Sequence, residues 1–176
     1  MNGLKMTALL MSSLLGLFAL GAVLFTSEAS ARYQSAVQQP ACETHEHRAF
    51  DFWVGEWVVY VPAGDVAGHN TIDLVLGGCA LHESWESVSG GTGHSYTFYD
   101  AAADKWHQTW IDASGNALYL DGEWTGEAMV LGDGTNRITW TSIEGGGVRQ
   151  HWQTTTDDGA TWSTAFDGEY VPARQE

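Results

Sequence analysis

The stretch FDFWVGEW, residues 50–57, places two phenylalanines, two tryptophans and a glycine where the polar N-terminal part of the chain ends. Beyond it, short runs rich in Val, Ile, Thr, Tyr and Trp are interrupted about every eight to twelve residues by Gly, Asp or Asn, which is typical of antiparallel β structure. We therefore predict that an all-β domain begins here.

Strand-like runs follow one another without a helical pattern long enough for a crossover connection. The runs cover residues 53–61, 70–76, 79–88, 94–100, 105–112, 117–120, 129–132, 138–143, 148–155 and 161–171. Short links join neighbouring runs, which favours a meander, and closure would remove the exposed edges of such a sheet. The sequence predicts a single antiparallel up-and-down β-barrel of about ten strands, preceded by a short helical turn within residues 43–52.

The N-terminus has the pattern of a secretory signal peptide. Lys5 precedes an uncharged apolar run over residues 8–25, and Ala29-Ser30-Ala31 has the small-residue pattern of a cleavage site. We predict a signal peptide at residues 1–31, a flexible leader at 32–42 and a barrel domain at 43–176, in a secreted or periplasmic protein. An uncleaved membrane anchor is the alternative, since about 18 apolar residues can span a bilayer.

The charge and the cysteine content limit which partners and which cellular compartment are expected. The formal net charge of −15 would repel nucleic acid and anionic lipid, so neither nucleic acid nor a membrane is expected as a partner after signal cleavage. The alternative is that the charge serves solubility alone. Cys42 and Cys79 are expected to form a disulfide that stabilises the fold by about 3–4 kcal/mol. A reactive thiol pair is the alternative. No oligomeric state is predicted.

Several strands have one face on which tryptophans alternate with polar residues. The run 105–112, for example, places Trp106, Gln108, Trp110 and Asp112 on one side. A cavity with apolar walls and a few polar groups would produce such a face. The predicted ligand-binding residues are Trp57, Glu83, Trp85, Ser95, Tyr99, Trp106, Gln108, Trp110, Gln150 and Trp152.

Gly55-Glu56-Trp57 resembles the G-x-W motif of the calycin barrels, which include the lipocalins and the fatty-acid-binding proteins. The resemblance implies that the glycine lets the first strand bend into the barrel and that Trp57 plugs the closed end. It also implies a basic residue over this tryptophan, a role that Arg149 or Arg174 would fill.

A wider set of motifs resembles a family of secreted bacterial proteins known only as a domain of unknown function. The motifs are residues 50–57, 78–85, 99–100, 105–112, 148–152, 155–162 and 166–168. They cover nearly all of the chain after the signal peptide. The resemblance implies a calycin-like, nitrobindin-like barrel outside the cytoplasm, without implying an activity. The closed end of that barrel would be capped by Phe50, Phe52 and Trp53.

Residues 155–162 fit the Asp-box pattern [ST]-x-D-x-G-x-T-W, which recurs in sialidases as a structural hairpin. The pattern occurs once here. We expect a hairpin in which Asp157 bonds to its own loop and Trp162 packs beneath it, rather than glycan chemistry.

Histidines do not indicate a metal or a cofactor. His82, His107 and His151 have the parity opposite to the inward tryptophans, whereas a zinc site needs three or four ligands that converge. A heme site of the nitrobindin type would need an inward histidine on a late strand, and His151 is the only late candidate. We therefore predict no metal and no cofactor.

Glu83 is the best candidate for acid–base chemistry, because a carboxyl group among tryptophans is expected to have a raised pKa. Asp112 is the one candidate for a second inward carboxylate near it. Glu83 could instead pair with an inner arginine, or accept hydrogen bonds from Tyr99 and Gln108 in a buried polar network.

The function that the sequence favours is binding of a small apolar or aromatic molecule inside the barrel. Whether the protein is an enzyme stays open, because a hydrolase or isomerase with Glu83 as general acid or base and Asp112 as its partner is an alternative. A protein-interaction module is a third hypothesis. It would be favoured by a contiguous exposed patch of outward residues such as Val58, Tyr60, Tyr96 and Phe98.

Overall fold

Ten antiparallel strands form a closed barrel in the computed structural model, which describes residues 41–173. The strands are β1 Gly55–Tyr60, β2 Val66–Val75, β3 Ala80–Ser87, β4 Thr92–Asp100, β5 Lys105–Asp112, β6 Ala117–Trp124, β7 Ala128–Gly132, β8 Asn136–Ser142, β9 Val148–Thr154 and β10 Ser163–Pro172. Each strand pairs with its neighbours in the sequence, and β1 pairs with β10. The predicted all-β, up-and-down barrel is therefore confirmed.

Helical structure is confined to short turns. The helix α1, His45–Arg48, is followed by a 3-10 turn at Asp51–Trp53, so the predicted helical turn is confirmed. Two further 3-10 turns lie at Leu76–Gly78 and Glu144–Gly146. The predicted signal peptide and residues 32–40 of the predicted leader lie outside the described residues.

No helix among residues 41–173 is both long and apolar enough to cross a membrane.

The N-terminal aromatic residues close one end of the barrel. Phe50 and Trp53 are fully buried, and their rings stack with centroids 5.0 Å apart. Trp140 of β8 lies within 5.4 Å of both rings, while Phe52 packs against Trp124. Aromatic side chains bury large areas in such clusters. The expected capping of this end by Phe50, Phe52 and Trp53 is confirmed.

The first strand joins this plug through its glycine and tryptophan. Gly55 has a φ of 149°, which L side chains rarely adopt, so a glycine is needed where the chain bends into β1. The Trp57 indole Nε1 donates to the Trp53 carbonyl at 3.0 Å, and its ring meets Tyr170 edge-on. Trp57 is thus part of the plug, as the G-x-W motif implies.

The basic residue expected over Trp57 is not Arg149. Val148 and Gln150 face inward, so the side chain between them points outward, and Arg149 forms an ion pair with Asp167 at 2.7 Å on the outer surface. That prediction is wrong because strand parity puts Arg149 on the other face. Arg174, the other candidate, lies outside the described residues.

Two links attach the N-terminal segment to the turn between β2 and β3. Cys42 and Cys79 form the predicted disulfide, across a sequence separation of 37 residues. Arg48 donates to the Gly78 carbonyl at 3.0 Å and to the Asp51 carboxylate at 2.7 Å. The N-terminal segment is therefore anchored to the barrel wall at Cys42, before α1, and at Arg48, its last residue.

The Asp-box hairpin forms as expected. The Asp157 carboxylate accepts hydrogen bonds from the hydroxyl of Thr155 and from the backbone N–H of Thr161, at 2.7 and 2.8 Å. The Trp162 indole donates to the Gly159 carbonyl at 3.1 Å, and Arg137 lies 4.2 Å from the centre of the Trp162 ring. The motif thus builds the β9–β10 connection on the outside of the barrel.

The outward residues named for a protein-interaction patch do not form one surface. Val58 and Tyr60 lie on β1, whereas Tyr96 and Phe98 lie on β4. Strands β2 and β3 separate the two pairs in the sheet order. A contiguous patch made of these four residues is therefore excluded.

Candidate functional site

A cavity of about 540 Å³ occupies the end of the barrel opposite the plug. Its mouth lies between the β3–β4 and β5–β6 turns, where Gly91, Thr92, Ser114 and Asn116 form part of the rim. Its floor is formed by side chains near the middle of the barrel, above the plug. The volume lies within the range of about 300–1,000 Å³ that is usual for small-molecule sites.

Indole and phenyl rings line the walls of the cavity. Trp85 of β3 and Phe166 of β10 meet edge-on at 6.3 Å, and Trp110 of β5 and Trp152 of β9 complete this aromatic wall. Trp152 is held in place because its indole Nε1 donates to Asn136 Oδ1 at 2.9 Å. The remaining wall is aliphatic, with Leu118 and Ile138.

Two inward glycines make room for the wall tryptophans. A Cβ atom at Gly93 would lie 2.2 Å from the Trp110 ring, and one at Gly68 would lie 2.6 Å from the Trp85 ring. Glycine within a strand often marks such a close approach. Trp110 and Trp85 can therefore lie against the barrel wall, which leaves the interior of the barrel open.

Glu83 lies at the floor of the cavity within a network of hydrogen bonds. Asn70 Nδ2 donates to Glu83 Oε1 and Ser95 Oγ donates to Glu83 Oε2, both at 2.7 Å. Gln108 Nε2 donates to Thr97 Oγ1 at 3.0 Å and to Ser95 Oγ at 3.4 Å. These residues come from β2, β3, β4 and β5, which are neighbours in the barrel.

Tyr170 extends the network from β10, which is separated from β2 by β1 alone. Its hydroxyl donates to Gln150 Oε1 and accepts from Asn70 Nδ2 at 3.4 Å. Since Asn70 also contacts Glu83, the network joins β2 and β3 to β9 and β10 across the closure of the sheet. Glu83, Gln108, Gln150 and Tyr170 all line the cavity.

Burial controls the ionisation of this network. Desolvation raises the pKa of Glu83 above its ordinary value of 4.5, while the hydrogen bonds from Asn70 and Ser95 act in the opposite direction. Burial, and then the nearby charge of Glu83, raise the pKa of Tyr170 well above its ordinary value of 10.0. Tyr170 therefore keeps its proton, and Glu83 is the group at the floor whose charge can change.

Six of the ten residues predicted to bind a ligand line the cavity. They are Glu83, Trp85, Gln108, Trp110, Gln150 and Trp152. Ser95 is buried behind Glu83 and supports it. Trp57 and Trp106 belong to the aromatic plug, because Trp106 contacts Phe50 edge-on at 5.8 Å. The alternation of side chains identified correctly which residues face inward. It did not show which of them lie at the open end of the barrel and which lie in the plug.

Tyr99 also lies away from the cavity. It is near the closed end, where its hydroxyl donates to the exposed Asp104 carboxylate at 2.5 Å, and this hydrogen bond raises the pKa of Tyr99 to about 12. Glu83 accepts from Asn70 and Ser95, so the expected bonds to Glu83 from Tyr99 and Gln108 are wrong. Gln108 reaches Glu83 only through Ser95.

Sequence reasoning missed Asn70 and Tyr170 in the polar network and Phe166 and Trp140 in the cavity lining. Phe166, Gly168 and Tyr170 alternate along β10, a signal that inner-face parity could have used. The sequence pattern places Asn70 at the start of a strand, whereas β2 begins at Val66. In the longer strand, Asn70 lies on the same face as buried Gly68 and Ile72.

Asp112 lies at the cavity rim, whereas Glu83 lies at the floor. Asp112 accepts from the backbone N–H groups of Ser114 and Asn116 at 2.8 and 3.0 Å. Bonds from Asn116 and Ser114 hold the pKa of Asp112 below its usual value. These bonds form the β5–β6 turn, so the two carboxyl groups have separate hydrogen-bond partners. An acid–base role for Glu83 with Asp112 as its partner stays a prediction.

The three histidines considered as metal or heme ligands, His82, His107 and His151, lie on the outer surface, as the alternation of side chains indicates. His107 contacts Asp121 at 2.7 Å, His151 contacts the Thr164 hydroxyl at 2.9 Å, and His82 stacks on His94. His151 therefore does not point toward a site for heme. Within residues 41–173, no group of three or more His, Cys, Asp or Glu side chains is placed to hold a metal ion.

Neither a protein-family model nor a curated protein matches this chain. The fold and cavity define its structural class as a ten-stranded antiparallel barrel that is plugged at one end and open at the other. The calycin assignment and the resemblance to the family of unknown function stay predictions.

Proposed function

We propose that this chain is a binding protein that takes a small aromatic or apolar molecule into the open end of its barrel. The observation that carries the proposal is the cavity itself, in which tryptophan walls surround a small polar floor. A cavity of this size, apolar lining and few polar groups is the usual form of a small-molecule site.

The difference between the two ends of the barrel supports ligand binding rather than an interior that only stabilises the fold. The aromatic plug fills one end with fully buried rings such as Phe50 and Trp53. At the other end, Trp85, Trp110 and Trp152 are only partly buried, so their surfaces stay available to a ligand. A filled barrel would bury these side chains as completely as those of the plug.

A location outside the cytoplasm is part of the proposal. The N-terminal sequence pattern supports secretion or export to a periplasm, and the Cys42–Cys79 disulfide is of the kind that persists in oxidising compartments. A ligand would then be captured from the extracellular or periplasmic fluid.

Binding of N-phenyl-1-naphthylamine, a neutral probe that accepts energy from excited tryptophan, tests this proposal. We expect saturable binding of one probe per chain. Trp110→Leu and Trp152→Leu should each weaken binding roughly two- to tenfold, since each removes one ring from the wall.

Trp162→Leu is the matched control, because Trp162 lies in the Asp-box hairpin outside the barrel and its loss should leave probe affinity unchanged. Absence of saturable binding would contradict the proposal. An equal loss of affinity in all three variants would also contradict it, because the probe would then not discriminate the cavity from the outer surface.

A further inference from the structure

Within residues 41–173, the Glu83 carboxyl group has no positively charged partner. Its side chain is 6% exposed, and its two oxygens accept from the neutral groups of Asn70 and Ser95. Tyr170, which keeps its proton, is the titratable group that approaches it from β10. No basic residue lines the cavity, and the four Arg and Lys side chains between residues 41 and 173 all lie elsewhere: Arg48, Lys105, Arg137 and Arg149.

Hydrogen bonds within the protein occupy the donors that surround Glu83, whereas Trp140 Nε1 in the cavity lining is buried without a partner. Asn70 Nδ2 and Ser95 Oγ bond to the carboxyl oxygens, Gln108 Nε2 bonds to Thr97 and Ser95, and the Tyr170 hydroxyl bonds to Gln150. A carboxylate has about four lone-pair positions, of which the protein occupies two. The floor therefore retains capacity to accept hydrogen bonds and positive charge.

The walls around this carboxyl group also suit a positive charge. The faces of indole rings attract cations, and the attraction is strongest where water is excluded. Trp85, Trp110 and Trp152 line the cavity above Glu83. Outside the cavity, the net charge of −15 attracts cations toward the protein as a whole.

We propose that the ligand is an organic cation, in which a positively charged nitrogen lies at Glu83 and an aromatic or apolar body lies between the tryptophans. This inference rests on the proposed function and names the ligand class of the same site. The cation would supply the counter-charge that Glu83 lacks. An anionic ligand would instead face a carboxyl group that no basic residue neutralises.

Two molecules of nearly the same shape test whether the cavity prefers a cation. Phenyltrimethylammonium carries a positive charge where tert-butylbenzene carries none, so their relative affinity measures the contribution of charge. We expect wild type to bind phenyltrimethylammonium about tenfold or more tightly than tert-butylbenzene, when both are titrated by quenching of tryptophan fluorescence.

Glu83→Gln keeps the shape of the side chain and removes its charge. In this variant, the preference for phenyltrimethylammonium should fall to within about twofold of unity, because the charge that attracts the cation is gone. Glu86→Gln is the matched control: Glu86 lies on the same strand but is exposed on the outer face, so this variant should keep the full preference.

The outcomes separate this inference from the proposed function. If tert-butylbenzene binds the wild type as tightly as phenyltrimethylammonium, the cavity binds ligands and the cation inference is wrong. If the preference survives in Glu83→Gln, or is lost equally in Glu86→Gln, the inference is also wrong, because charge at Glu83 does not cause it. If neither molecule binds, the inference is wrong, and the proposed function fails with it if N-phenyl-1-naphthylamine does not bind either.

Discussion

Trp110 lies against the backbone of Gly93, so close that a Cβ atom at position 93 would stand 2.2 Å from Cζ2 of its indole ring. Gly93 belongs to β4 and Trp110 to the adjacent β5, and both positions face the interior. The glycine thus determines how far the ring extends into the cavity. The open volume of the barrel depends on a residue that contributes no side chain.

Gly93→Ala should reduce the cavity and weaken ligand binding. The added methyl group would force Trp110 away from the wall and into the space that the ligand occupies. Overpacking of this kind typically costs about 1–3 kcal/mol in the free energy of unfolding. Chemical denaturation and a titration with N-phenyl-1-naphthylamine measure the two effects. Gly91→Ala is the control for the loss of stability, because its methyl group makes only ordinary contact with Ser87.

Glu83 should make the protein less stable as the pH rises. Its folded pKa is raised, so its contribution is fully present below the unfolded value of 4.5 and is lost as the pH rises through the folded pKa. Relative to Glu83→Gln, wild type should lose about 1.4 kcal/mol of unfolding free energy per pH unit across this window. Urea denaturation at a series of pH values measures the difference.

Glu86→Gln provides the control for this pH dependence, because Glu86 is exposed on the outer face of β3. Its stability should follow that of wild type across the same pH range. A constant difference between Glu83→Gln and wild type would mean that burial does not perturb Glu83.

Asp157 should have the opposite pH dependence. Hydrogen bonds from Thr161 and Thr155 lower its pKa from 3.8 to about 2, so its contribution is present above 3.8 and is lost as the pH falls through about 2. Asp157→Asn should therefore lower the melting temperature at neutral pH, by an amount that shrinks on acidification. Asp158→Asn changes the exposed neighbouring residue and should have little effect at any pH.

Loss of the disulfide should destabilise the protein without closing the cavity. In the chain-entropy model, a loop of this length contributes about 3–4 kcal/mol to the free energy of unfolding. The Cys42→Ser/Cys79→Ser double variant should show this loss in chemical denaturation. Affinity for N-phenyl-1-naphthylamine should stay unchanged under conditions in which the variant is folded, since the bridge lies at the closed end.

Phe50 should contribute about as much to the free energy of unfolding as the disulfide does. Its ring is fully buried between Trp53, Trp106 and Trp140, so Phe50→Ala leaves a void in the plug and should cost about 3–5 kcal/mol. Phe50→Leu, which fills more of the space, should cost less. Equal stability of wild type and Phe50→Ala in a denaturant titration would show that the plug does not hold the barrel closed.

The strands and their inner faces were predictable because both depend on local patterns. Residues 105–112 were predicted as a strand with Trp106 and Gln108 inward, and both are buried in β5. The β-branched and aromatic runs, the short links and the alternation of side chains each carry this information within a few residues.

The contents of the site depended on contacts between distant strands and could not be predicted in the same way. Asn70 bonds to Glu83 across the β2–β3 pairing and to Tyr170, which lies 100 residues away. No local sequence pattern predicts the contact between Asn70 and Tyr170, because that contact results from closure of the sheet between β1 and β10. For the same reason, parity could not show which inward tryptophans lie in the plug and which line the cavity.

A crystal structure of the chain grown with N-phenyl-1-naphthylamine is the decisive test of ligand binding inside the barrel. One probe molecule per chain is expected in the open end of the barrel, with its rings between Trp110 and Trp152 and above Glu83. A barrel in which these tryptophans turn inward and fill the space would contradict the account, and so would a probe bound only to the outer strands.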